Sequence, residues 1–144
     1  MVAASPHSPQ IAWMEILETG IDELDAWHRK LISSCNDLLR TVGRDDRWIT
    51  VVAKGELLVA SCLDHFRFEE TIMGQSRFPR RGVHIKEHRR MEEQLRRIAR
   101  AIRNADGSTP EQRILPLQFQ AILIDAMVRH DLDYRSHLLH RLGR

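Results

Sequence analysis

Residues 62–91 read CLDHFRFEETIMGQSRFPRRGVHIKEHRRM. His65 and Glu69 stand four apart, as do His84 and His88, and the turn-like SRFPRRG (76–82) lies between the two pairs. On an α-helix, positions four apart lie about 40° apart around the axis and about 6 Å apart along it. Each pair therefore projects two ligand atoms from one helix face. A turn that folds the helices antiparallel lets all four residues converge. Imidazoles and a carboxylate meeting inside a small helical domain predict a carboxylate–histidine metal site.

Working outward, the flanking segments repeat the helical pattern. Ile21, Leu24, His28, Leu31, Ile32, Cys35, Leu38 and Leu39 recur at intervals of three and four, predicting a helix over about 21–42 with His28 on its apolar stripe. Gly43 ends that helix, and Asp45-Asp46 starts the next, over about 47–74, with Val51, Val52, Leu57, Leu58, Cys62, His65, Phe66, Glu69, Ile72 and Met73 available for its inward side. Glu70, about 100° around the axis from Glu69, is expected to face solvent. A third helix, about 82–104, turns His84, His88, Met91, Leu95, Ile98 and Ile102 inward. Ser108-Thr109-Pro110-Glu111 has capping-box spacing and opens a fourth helix to about residue 142, with a kink or late start at Pro116. Four long helices with short connections and no strand signal predict an all-α, antiparallel up-down-up-down four-helix bundle over residues 13–144. Residues 1–12, with two prolines and two serines, read as an extended arm.

Composition excludes several classes. The chain's 144 residues form one domain on the length criterion, and no apolar run reaches the roughly 20 residues of a membrane span. The first ten residues have no basic-then-apolar export pattern, and two cysteines, Cys35 and Cys62, make no disulfide framework, so a cytoplasmic setting is expected. Nine arginines crowd residues 77–103, but neither interleaved aromatics nor a binding motif accompanies them. They read as a solvated helix face, and nucleic acid is not an expected partner. No nucleophile–base pair suggests catalysis.

Burying His28, His65, Glu69, His84 and His88 in an apolar core is costly unless each finds a partner. A hydrogen-bonded His–Glu network without metal is the bland solution. It leaves several donors and acceptors to water.

Taken together, these intervals resemble the hemerythrin family, from Trp13 to about Leu139. Gly20, Asp25, His28 and Leu31 match its entry pattern; HFRFEETIM matches its histidine-x-x-x-glutamate helix; Phe78-Pro79 stands before His84-x-x-x-His88 as the family's aromatic–proline pair does. The resemblance implies reversible dioxygen binding at two iron ions (Fe2+/Fe3+), held by five histidines and bridged by a glutamate, an aspartate and an oxo or hydroxo group. By position, His28 and His65 would hold the iron with the open site, His84 and His88 the other, and Glu69 would bridge. Leu123 takes the position of the apolar side chain that covers the oxygen pocket.

On the fourth helix the sequence departs from the pattern, which has a histidine five residues before the bridging aspartate. With Asp131 as that aspartate, the histidine position holds Ala126, which cannot ligate. His130 or water would fill the gap, or a second open position would remain. The expectation is a non-haem di-iron protein that binds dioxygen or a related small oxidant, for carriage, storage or sensing. The rivals are a di-iron enzyme or detoxifier acting on peroxide or nitric oxide, and a metal-dependent signalling module.

Overall fold

The computed structural model describes residues 17–44 and 47–141, with backbone alone at 130–132 and 141. The expected arm, and the lead-in from Trp13 to residue 16, lie outside that range. Four helical stretches form the bundle: α1 (Asp22–Gly43), α2 (Trp48–Gln75), α3 (Arg81–Arg103), and a last stretch in pieces. The pieces are α4 (Pro110–Arg113), α5 (Leu117–Asp125), a π-helical turn (Ala126–His130) and α6 (Asp131–Arg141). The expected boundaries of the first three helices agree within one residue, but Leu57, expected inward on α2, is 69% exposed, because it lies one residue before the buried Leu58 and so about 100° around the helix from it.

The fourth helix starts late, as Pro116 suggested, because a proline has no N–H and restricts the residue before it. The cap, however, is one residue later than expected. Thr109 Oγ1 accepts from Gln112 N at 3.2 Å, and the Gln112 side-chain oxygen accepts from the N–H groups of Gly107 (2.8 Å) and Ser108 (3.2 Å). Gly107 is required here. Its φ is +75°, and an added Cβ would sit 2.5 Å from the Trp48 ring, whose Nε1 donates to Ile102 O at 2.9 Å. One turn thus ties the end of α3 to the start of α2.

Two apolar clusters hold the bundle. The larger contains Leu31, Leu38, Leu58, Phe66, Met91, Leu95, Phe119, Leu123, Ala126 and Met127; the smaller contains Leu24, Met73, Phe78, Tyr134 and Leu138. Chain direction follows from these lists. α1 passes from the small cluster (Leu24) to the large (Leu31), α2 returns (Phe66 to Met73), Phe78 and α3 go out again (to Met91), and the last stretch returns (Met127 to Tyr134). That alternation is the up-down-up-down order. On the first three passes the polar positions His28, Glu69, His84 and His88 fall between the clusters, so the sequence builds one polar layer across an otherwise apolar core.

Candidate metal centre

His28, His65, Glu69, His84 and His88 are all at most 3% exposed. Four of them meet directly. The Nε2 atoms of His28 and His65 are 3.2 Å apart, and both face Glu69 Oε1, at 3.3 and 2.5 Å. Glu69 Oε2 points the other way, 3.1 Å from His88 Nε2. Glu69 therefore lies between two histidine groups, one carboxylate oxygen assigned to each. The ligand atoms of His28, His65 and Glu69 lie within 4.8 Å of one another.

The rings are oriented by packing. His65 lies beside Trp27 at 5.7 Å, His88 stacks on Phe66 at 4.5 Å, and His84 meets Phe78 edge-on at 5.1 Å. His84 stands apart from the Glu69 cluster. Its Nε2 lies 3.4 Å from Asp133 Oδ2, and Arg80 holds the same carboxylate oxygen at 2.6 Å. The side chains of His130 and Asp131 lie outside the described residues.

One expectation is corrected. Glu70 does not face solvent: it is 8% exposed, and its Oε2 lies 2.9 Å from His88 Nδ1. Both Arg89 terminal nitrogens reach its carboxylate, at 3.1 and 3.4 Å, and Arg81 Nε donates to its backbone carbonyl at 3.1 Å. A helical wheel of α2 alone misplaces it because α3 packs over that side. A buried carboxylate on the far nitrogen of an imidazole fixes the tautomer and orients the ring. The sequence signal was present, if weak: a second glutamate directly after Glu69, and an arginine directly after His88.

The electrostatics follow from these contacts. Burial alone would raise the Glu69 carboxyl, but the His65 charge and hydrogen bonds with His28, His65 and His88 outweigh it and hold the group well below the usual carboxylate range. Burial alone would lower the His88 imidazole; Glu69 and Glu70 carry it above its ordinary value instead.

The donor set fits a cation better than a closed hydrogen-bond network. His28 Nε2, His65 Nε2 and Glu69 Oε1 crowd one point with few protons to share, and His65 Nδ1 is buried with no partner among the described residues. Neutral imidazole with carboxylate suits first-row transition metals.

Beside the layer lies a small cavity of about 10 Å³, lined by His65, Glu69 and His88 and closed by Leu31, Phe66, Met91, Leu123, Ala126 and Met127. Leu123 is 2% exposed and Ala126 8%. The π turn begins at Ala126, and its i→i+5 pairing sets backbone position 131 nearly over 126. In a plain α-helix the two would diverge by about 140°. Among the described residues, no helix is long and apolar enough to cross a membrane. The nine arginines of 77–103 are all exposed.

Comparison with known proteins agrees with this architecture. The chain is 31% identical over 78 residues to bacteriohemerythrin from Pseudomonas paraeruginosa, a match covering 54% of this chain and 50% of that protein, so the match spans about half the length of the curated relative. Residues 19–141 match the family model described as the hemerythrin HHE cation binding domain. With that match running from the loop before α1 to the end of α6, the chain belongs to the hemerythrin family of cation-binding helical bundles.

Proposed function

We propose that this bundle holds two iron ions in its polar layer and binds dioxygen or a related small oxidant there. The observation that carries the reading is the division of Glu69, with Oε1 toward His28 and His65 and Oε2 toward His88. A carboxylate buried between two imidazole groups is disposed to bridge two cations while offsetting part of their charge. His28 and His65 would hold one iron, His84 and His88 the other, with Glu69 and Asp131 as bridges. When bound, ferrous iron supplies the electrons that dioxygen needs in order to bind reversibly.

The chain's own residues do the rest. Leu31, Phe66, Met91, Leu123 and Met127 wall the cavity beside Glu69 with apolar surface, which keeps water and protons from the reacting atoms. At about 10 Å³ the cavity has room for the centre of about one water-sized molecule, which selects a small oxidant over an organic substrate. Glu70, itself held by Arg89, holds the His88 ring, and the Phe66 stack limits its rotation.

Ala126 favours a second reading. A buried alanine where a histidine ligand would stand brings no donor to the His84/His88 side. A site with a second open position suits irreversible oxidation, as in peroxide or nitric oxide removal. A visible spectrum separates the two. Ferrous-loaded protein that colours in air and bleaches under vacuum over repeated cycles supports reversible binding. Protein that oxidises once and stays ferric supports the second reading and contradicts the first.

A further inference from the structure

We propose that Trp27 is the door through which a small neutral oxidant reaches the centre, opening from a surface pocket onto His65; the inference rests on the reading above that the layer holds iron. His65 has two neighbours that bear on access. It helps line the small cavity beside Glu69. Its ring also lies 5.7 Å from that of Trp27, which is half-buried. Trp27 in turn lines a surface pocket of about 330 Å³ with Glu23, Ala26, Lys30 and Phe68. One indole thus lies between solvent and His65, whose ligand atom is within 4.8 Å of those of His28 and Glu69.

The other walls of the inner cavity are closed. Leu31, Phe66, Met91, Leu123, Ala126 and Met127 are all buried, so none of them reaches solvent as Trp27 does. Leu31 stands one helical turn after Trp27 on α1, and positions four apart share a face. A path past the indole therefore leads along Leu31 and His65 into the cavity. The outer pocket suits such a passenger. Ala26, Trp27 and Phe68 give it apolar walls, where a neutral diatomic collects more readily than an ion.

The way the indole is held lets it move. Trp48 is pinned by the hydrogen bond from its Nε1 to Ile102 O, whereas the Trp27 indole N–H has no such partner among the described residues. The Trp27 ring leans instead on Phe68, at 6.0 Å and tilted by 34°, and lies under the Lys30 ammonium, 5.1 Å from its centroid. Neither contact fixes a direction as a hydrogen bond does. Rotation of the side chain into the outer pocket breaks no hydrogen bond among the described residues and meets open space. That is the behaviour of a gate: closed, it keeps water from His65, and open, it admits one small molecule.

The test is stopped-flow mixing of the anaerobic Fe(II)-loaded full chain with nitric oxide. This neutral diatomic binds ferrous iron whether or not dioxygen is held reversibly. Association is read directly and dissociation with a scavenger, and circular dichroism verifies folding. A door lowers one barrier common to both directions, so it changes the two rates by the same factor and leaves the affinity alone. Trp27→Ala is expected to raise both rates severalfold, and Trp27→Phe to raise them less. Should Trp27→Ala fail to fold, Phe68→Ala decides: it removes the ring on which Trp27 leans and is expected to raise both rates together. In the iron-free protein, acrylamide quenching of the Trp27 emission, taken as wild type minus Trp27→Phe, is expected to be partial. Quenching as free as that of a solvated indole overturns the proposal, because the ring would not cover His65. Unchanged rates in the folded variants, or acceleration by Leu123→Ala in their place, also overturn it and leave the iron reading intact. So does a change in affinity carried by one rate alone, because Trp27 would then act on the bound state through His65. A wild-type chain that holds no iron defeats the iron reading, and the proposal with it.

Discussion

The Glu70 carboxylate meets His88 at Nδ1, 2.9 Å away, while Glu69 meets the same ring at Nε2, 3.1 Å away. Adjacent glutamates thus grip one imidazole from both sides. With a metal on Nε2, Nδ1 would carry the proton and donate to Glu70.

That grip predicts unequal costs. Glu69→Ala removes a donor to both halves and is expected to abolish tight binding of both metals. Glu70→Ala leaves every ligand in place but frees the His88 ring, and loss of such a partner lowers metal affinity by about 10–100-fold. Competition against a chelator of known affinity measures both. Wild-type affinity in Glu70→Ala would show that Phe66 stacking alone fixes the ring.

Leu123 separates packing from protection. As a buried leucine truncated to alanine, it should cost roughly 2–5 kcal/mol in thermal or denaturant unfolding. As part of the cavity wall beside Glu69, its loss should also speed autoxidation severalfold at a temperature where the variant stays folded. An unchanged autoxidation rate in folded protein would leave Leu123 as core alone.

Ala126→His is not a simple repair. An imidazole exceeds the cavity of about 10 Å³ and must displace Leu123 or Met127. Overpacking of this kind should destabilise the metal-free protein by roughly 1–3 kcal/mol, read as a lowered melting temperature. A variant that melts like wild type would mean that the π turn gives way at little cost.

Cys35 and Cys62 predict a pH dependence away from the centre. Burial pushes both thiols up to about 12 from the ordinary 9.0, with Cys35 adding to the effect at Cys62. The folded chain keeps these protons where the unfolded chain loses them. Their stabilising contribution is therefore full below about pH 9 and is lost as pH rises toward 12. Stability should fall across that window, and less steeply in a Cys35→Ala/Cys62→Ala variant. At pH 8 a thiol reagent should label neither residue until the protein unfolds; rapid labelling of native protein would contradict their burial.

Much of this was legible in the sequence, for identifiable reasons. Helix periodicity and the placement of His28, Glu69, His84 and His88 between apolar residues were legible, because the first three helices each carry a polar position into the same layer. Pro116 announced the late start of α5. What was not legible depended on neighbouring helices or on local backbone. Glu70 looked exposed until α3 covered it, and nothing in AMVRH marks a π turn at 126–130. Asp133 stands two residues beyond Asp131, the carboxylate that the family resemblance singles out, and only the tertiary approach of His84 reveals its contact.

The central claim is that Glu69 joins two metal sites in one buried layer, and metal stoichiometry tests it most directly. Anaerobic Fe(II) loading followed by gel filtration and metal analysis should give two irons per wild-type chain and no tightly held iron in Glu69→Ala. One iron or none in the wild type, or equal iron in the two proteins, would contradict it.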